Sequence, residues 1–186
     1  PAAPMRRNLL YHVYAFAGNG DWRMNVDRLV RSWDLFSGRK IIGIVTDRST
    51  VAVEQVQAAF PADPVIEWMV NPNNRNRGEA VTFLPGVRAL RSLNLDEATF
   101  YAHTKGVSPG FDKPDIIRQS VRRWREFMYH ACLEHLDLES LDKALLRWPC
   151  VGCLKRHMVR NEPGRPESAW HFAGTFWWFN HGRYFA

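Results

Sequence analysis

The sequence predicts an α/β domain: a mainly parallel sheet flanked by helices on both faces. Three observations lead there. Short runs such as residues 40–46 (KIIGIVT) have an unbroken apolar middle rich in β-branched side chains, as strands covered on both faces do. Turn signals, Gly18-Asn19-Gly20 and Asp47-Arg48-Ser49 among them, punctuate the chain at short intervals. Between the apolar runs lie stretches with helical spacing, so strand and helix alternate along nearly the whole sequence, the pattern of a parallel sheet with crossover helices.

Taken in order, residues 9–17 (LLYHVYAFA) are the first strand, ending at the glycine turn. Asp21 is placed to cap a helix over 21–35, with Met24, Leu29, Val30 and Trp33 as its buried stripe. Residues 40–46 form the second strand and 50–60 the next helix. Residues 65–70 are the third strand, 71–77 a polar loop, and 78–93 a helix distorted around Pro85, whose ring removes a hydrogen-bond donor. The fourth strand is 99–103, and a Gly- and Pro-bearing loop leads to the longest helix, 115–135, with Ile117, Val121, Trp124, Met128 and Cys132 on one face. A helix at 138–146 and strands at 150–154 and 172–179 complete the chain around a polar segment, 161–167.

The 186 residues suit one domain, burying roughly 70% of the surface the unfolded chain exposes. With 46% hydrophobic and 24% charged residues the composition is globular, which excludes a fibrous or disordered chain. No apolar run nears the roughly 20 residues of a membrane span, and residues 1–8 lack the apolar core of a secretory signal. A cytoplasmic location is expected, with contact to the inner membrane face open to a net charge of +6 and the arginines at 118, 122, 123 and 125. Such a surface attracts diphosphates, anionic headgroups or nucleic acid alike, or is a solvated helix face. No nucleic-acid-binding motif appears, so no specific nucleic-acid partner is expected.

Cys132, Cys150 and Cys153 are too few for a disulfide scaffold. Cys150-Val-Gly-Cys153 followed by His157 has part of a zinc spacing, but closing a tetrahedral shell needs a distant ligand such as Cys132. Cysteines buried in strands are the expected outcome.

Ligands of open α/β sheets lie at the carboxyl ends of the strands. There the loop Asn74-Arg75-Asn76-Arg77-Gly78-Glu79 opens a helix, and the fourth strand ends in Tyr101-Ala102-His103-Thr104-Lys105-Gly106. Further on comes His171-Phe172-Ala173-Gly174-Thr175-Phe176-Trp177-Trp178. Together, in this order and with Trp124-Arg125 between them, these segments resemble the rhamnan-synthesis F family of bacterial glycosyltransferases. The likeness extends from about residue 9 to residue 184. It implies the GT-A fold, a Rossmann-like nucleotide-sugar-binding architecture. It also implies transfer from a nucleotide-sugar donor to a glycan or lipid-linked acceptor in surface polysaccharide synthesis. Relatives are expected to continue past the last motif, so residues 1–186 are expected to be a single domain in minimal or truncated form. A non-catalytic domain of the same fold, binding glycan or a partner transferase, is the alternative.

The implied chemistry distributes roles over named residues. A diphosphate leaving group calls for cations and backbone amides. Asn76, Arg77 and Gly78 at the helix entry, His103, Thr104 and Lys105 at the strand end, and Arg125 are the donor-binding candidates. Gly78 is equally an ordinary loop-to-helix glycine. GT-A enzymes usually carry Asp-x-Asp where His103-Thr104-Lys105 stands, so no metal ligand is assigned and the need for a divalent ion stays open. The acceptor hydroxyl needs a base: His171 is favoured over Asp112 and Glu167, while Asp115 is as suited to capping a helix. Gly174, Thr175, Trp177 and Trp178 are the acceptor- or sugar-binding candidates, with core packing the competing role for the aromatic run.

Overall fold

The computed structural model describes residues 4–104, 115–157, 170–172 and 175–186. A six-stranded sheet runs through the middle. Its strands are β1 (Arg6–Tyr14), β2 (Lys40–Thr46), β3 (Ile66–Pro72), β4 (Glu97–His103), β5 (Cys150–Gly152) and β8 (Trp177–Asn180), in spatial order β3-β2-β1-β4-β8-β5. The first four are mutually parallel, and β8 inserts antiparallel between β4 and β5. A second sheet pairs β6 (Lys155–His157) with β7 (Trp170–Phe172).

Alternation along the strands sorts side chains to two layers. Leu9, Tyr11, Val13, Ile42, Ile44, Phe100, Ala102 and Trp178 face the larger core. That core is closed by α1 (Asp21–Val30), α2 (Val53–Gln57), α4 (Asp115–Tyr129) and α5 (Leu138–Arg147). Leu10, Ile41, Tyr101 and Phe179 face the smaller core under α3 (Ala80–Leu90) and the short α6 (His181–Tyr184). The sheet is therefore covered on both sides, which is why the middles of β1, β2 and β4 are mostly apolar and buried.

Several elements differ from the sequence reading. The 172–179 strand is two: β7 lies in the small sheet and β8 in the large one, with Thr175 at φ 54° between them. A left-handed residue cannot continue a strand, so the chain turns there. Gly78 sits in the loop before α3 at φ 52°, which glycine adopts without steric cost, and not inside the helix. α3 itself passes through Pro85 without interruption. The long helix is α-helical to Tyr129 and closes with a π turn, His130–Glu134. On α1 the buried stripe is Trp22, Asn25, Val26 and Leu29 and leaves Met24 exposed, because Asp21 is already the first helical residue. Asn19 Oδ1 accepts from the Asp21 amide at 3.1 Å, and the Asp21 carboxylate turns instead to Arg125.

α3 docks closely on the sheet because Gly43 has no side chain. A Cβ there would lie 2.4 Å from Thr82 Cβ and 2.6 Å from its Cγ2. Gly43→Ala is expected to cost about 1–3 kcal/mol, lowering the melting temperature by roughly 3 to 10 °C. Gly20→Ala, where an added Cβ meets nothing within 4 Å, is the matched control expected to leave melting nearly unchanged. Thermal unfolding of the two variants checks this.

The amino edge of the sheet is closed by a buried polar network. Asn8 Nδ2 donates to Glu97 Oε1 at 2.8 Å, Ser92 Oγ donates to Glu97 Oε2 at 2.7 Å, and the His181 ring bridges Ser92 (2.9 Å) and Thr99 (2.7 Å). With its polar groups paired, this edge serves stability, and the opposite edge is where a ligand can be met.

Candidate functional site

From β1 the chain builds outward through β2 to β3, then returns to lay β4 on the other side of β1. That reversal makes the carboxyl ends of β1 and β4 the switch point of the sheet, the position at which loops diverge and leave a crevice. The residues there come from β1, β4 and the loop leading into α3.

His12 occupies the register between Gly43 on β2 and His103 on β4. Its Nδ1 is 2.7 Å from Thr82 Oγ1. Burial, reinforced by the neighbouring His103 and only partly offset by the Glu79 charge, lowers the His12 pKa to about 4, so the ring is neutral at pH 7. His103 Nδ1 lies 2.8 Å from Glu79 Oε2, a carboxylate delivered by the loop before α3. In the neutral ring that contact places the proton on Nδ1 and the lone pair on Nε2, the tautomer a proton acceptor or ligand uses. Tyr101, two residues back on the same face, is 2% exposed, and among the described residues its phenol oxygen has no hydrogen-bond partner. Burial first, and then the Glu79 charge, push that phenol well above its ordinary pKa.

Thr104 is a latch between the two strands. Its amide donates to His12 O at 2.9 Å, while its hydroxyl accepts from the Tyr14 amide at 2.9 Å and donates to Tyr14 O at 3.2 Å. The side chain is 4% exposed and holds the end of β4 against β1.

A second polar group stands at the ends of β2 and β3. Asp47 accepts from Asn73 Nδ2 at 2.8 Å, from the Ser49 amide at 2.7 Å and from the Tyr14 hydroxyl at 3.4 Å. Burial alone would raise the Asp47 pKa, but these hydrogen bonds and the nearby Arg75 charge outweigh it and hold the carboxyl below its usual range. Arg75 belongs to the 73–79 loop, which winds around its own Asn74. Asn74 O accepts from the amides of Arg77 (3.0 Å) and Gly78 (2.8 Å), and its Oδ1 accepts from Asn76 (3.1 Å) and Arg77 (3.3 Å). The side chains of Arg75, Asn76 and Arg77 are exposed at the rim.

The remaining sequence candidates distribute differently. Arg125 is 1% exposed on the other face of the sheet, with Nη1 3.3 Å from Asp21 Oδ1, beside the Tyr11–Tyr129 hydroxyl pair at 2.6 Å. It joins α4 to α1. Trp178 lies in the larger core with its ring centroid 5.1 Å from Phe100 and 6.0 Å from Phe36. Trp177 is half-buried on the α3 face near Tyr101 (6.2 Å) and Phe83 (6.1 Å), on the same layer as His12 and His103. Thr175 precedes it in its left-handed turn. His171 lies on β7, where only the backbone is described. Lys105, Asp112, Glu167 and Gly174 lie outside the described residues. Among the described residues no group of three or more His, Cys, Asp or Glu is placed to hold a metal ion.

Sequence reasoning passed over His12, Glu79, Thr82, Tyr101 and Asp47. One signal was there: His12 is the polar interruption of an apolar strand and shares the parity of Leu10. Asp47 read only as a turn residue.

No protein-family model matches the chain, and no curated protein matches it. Among solved structures it is similar to 4-diphosphocytidyl-2C-methyl-D-erythritol synthase, at 10% identity over 97% of this chain and 78% of that one, with a TM-score of 0.39. A likeness of that strength is no argument for an activity.

Proposed function

We propose that this chain is a glycosyltransferase-type domain that seats a nucleotide-sugar donor across the carboxyl ends of β1, β2 and β4 and transfers its sugar to a glycan or lipid-linked acceptor in surface polysaccharide synthesis. The observation that carries the reading is the convergence, at the switch point, of the Glu79–His103 pair with a loop presenting Arg75 and Arg77 at the rim. Exposed guanidiniums suit a diphosphate, which they hold by charge-assisted and bidentate hydrogen bonds. Asp47, kept ionised at the end of β2, is an acceptor for a ribose hydroxyl. Lys105, which follows Thr104 in sequence, adds a cation, and His171 is the base for the acceptor hydroxyl. Trp177 and Thr175 offer an apolar face and a hydroxyl to a sugar ring.

Among the described residues no helix is long and apolar enough to cross a membrane. Arg118, Arg122 and Arg123 on the exposed side of α4 suit contact with an anionic inner membrane face, where a lipid-linked acceptor would reside.

One observation favours a second reading, a non-catalytic domain of this architecture that binds glycan or a partner transferase. At the strand end where GT-A enzymes carry metal-binding carboxylates, the Thr104 hydroxyl is spent on the Tyr14 backbone and the His103 ring is tied to Glu79.

Thermal melting against a panel of nucleoside diphosphates and nucleotide sugars, with manganese and with chelator, separates the two. A donor at about 100 times its dissociation constant should stabilise by about 2.7 kcal/mol, a melting shift of roughly 5 to 10 °C. Arg75→Ala and Arg77→Ala should each weaken that donor by roughly 10- to 100-fold through loss of a charged hydrogen bond. No shift with any nucleotide, in folded protein, defeats the donor-site reading in favour of the second.

A further inference from the structure

Away from the switch point, on the larger-core face, independent contacts bring two of the three cysteines together. Cys132 lies in the π turn after α4, and Cys153 directly follows β5. Trp178 Nε1 donates to Cys132 O at 3.0 Å, and Cys132 Sγ donates to Phe176 O at 3.7 Å. The β5–β8 register sets Val151 against Trp178 and Gly152 against Trp177; Cys153 is the next residue beyond β5 and Phe176, whose carbonyl Cys132 touches, the residue just before β8. Cys153 packs against the larger core that holds Cys132, and the two thiols are near enough to shift one another's protonation. Cys150 faces the other layer, against the Leu10–Tyr101–Phe179 core. Cys132 is 3% exposed, whereas Cys153 is only partly buried.

We propose that Cys153 and Cys132 form a thiol–disulfide exchange site, with Cys153 the attacking sulfur, Cys132 the resolving one, and a low-molecular-weight disulfide the oxidant. The Cys153 thiolate attacks one sulfur of the small disulfide, whose S–S bond breaks and releases one small thiolate. Cys132 then attacks the Cys153 sulfur and expels the second small thiolate, which takes up the Cys132 proton as it leaves. Two electrons pass from the protein thiols to the small disulfide, which ends as two thiols.

The order of attack follows from surroundings. The neighbouring Cys132 thiol lowers the Cys153 pKa against the opposing effect of burial, while the presence of Cys153 and burial raise the Cys132 thiol far above its usual range. Burial pushes Cys150 up to about 12, leaving it the poorer nucleophile. The new bond would fasten the π turn to the end of β5 around Phe176. That ring lies 6.1 Å from His103 and 4.9 Å from Tyr129, so oxidation stiffens the support of the candidate site.

Native protein is incubated with excess oxidised glutathione at mildly alkaline pH, alkylated, digested and mapped by mass. The expected product is a peptide pair joining Cys132 to Cys153, lighter by two hydrogens, with Cys150 alkylated. In Cys132→Ser, glutathione should remain on Cys153 as a mixed disulfide. A brief pulse of iodoacetamide on reduced native protein should modify Cys153 before Cys150. Absence of the linked pair in wild-type protein, a link through Cys150, or faster labelling of Cys150 overturns the proposal. The wild-type map decides the matter even if the serine variant does not fold.

Discussion

Trp178→Ala is expected to destabilise the domain by about 3–5 kcal/mol, a fall in melting temperature of roughly 6 to 20 °C. The side chain is 1% exposed and sits where three elements meet. Its ring packs on Phe100 of β4 and on Phe36, which follows the 3₁₀ turn Trp33–Leu35, while its indole N–H donates to Cys132 O in the π turn. Removing it opens a void among tightly packed core neighbours and takes away the donor to the Cys132 carbonyl. Trp178→Phe separates the two effects, because it keeps most of the volume and loses only the hydrogen bond, at an expected cost of about 1–3 kcal/mol. Trp177→Ala, on the half-buried α3 face, should cost less than half as much as Trp178→Ala. Denaturant unfolding of the three variants measures the ordering. A Trp177 loss as large as that of Trp178 would contradict the layer assignment.

The second large effect is acid sensitivity from His12. Its folded pKa is about 4 against 6.5 for an ordinary imidazole, so between these values the unfolded chain binds more protons than the folded one. Stability therefore rises with pH across that window. The contribution is complete above pH 6.5 and lost as pH falls toward 4. A shift of this size corresponds to about 3 kcal/mol, the cost of charging an imidazole that is buried and already beside His103. Glu97 and His181 act in the same direction. Burial would raise Glu97, but hydrogen bonds from Asn8 and Ser92 prevail and lower it, while burial lowers His181. The His12 share is isolated by comparing wild type with His12→Asn in urea at pH 7, 6, 5 and 4. The stability difference between them should change by about 3 kcal/mol across the series in favour of the variant at low pH. A difference independent of pH would mean that the ring is not held neutral.

Much of the architecture was legible because it is written in short-range pattern. The apolar run of β2 announces a strand covered on both faces, whereas on the long helix the expected stripe holds at Met128 and Cys132 but not at Ile117, which is exposed, and the buried residue it missed is Arg125. The loop ending at Gly78 and the strand ending at His103 were located as carboxyl-edge segments from the alternation of elements. Less legible was the aromatic run near the end of the chain, which reads as one strand because every residue from Phe176 to Phe179 suits a strand. The break at Thr175 is a backbone conformation, and threonine does not advertise it.

Local composition and periodicity by themselves determined the fold class, most of the strands and which loops gather at the carboxyl edge, since those properties depend on neighbours a few residues apart. Partnership was decided only in the folded chain. His12 meets Thr82 seventy positions away, Arg125 meets Asp21 across 104, and the Cys132 carbonyl meets Trp178 across 46. Such pairs are set by strand order and by how closely a helix approaches the sheet at a glycine such as Gly43. The sequence names the residues with chemical capacity, but burial and contact, which exist only after the layers pack, decide which imidazole is neutral, which arginine is a strut and which thiols are neighbours.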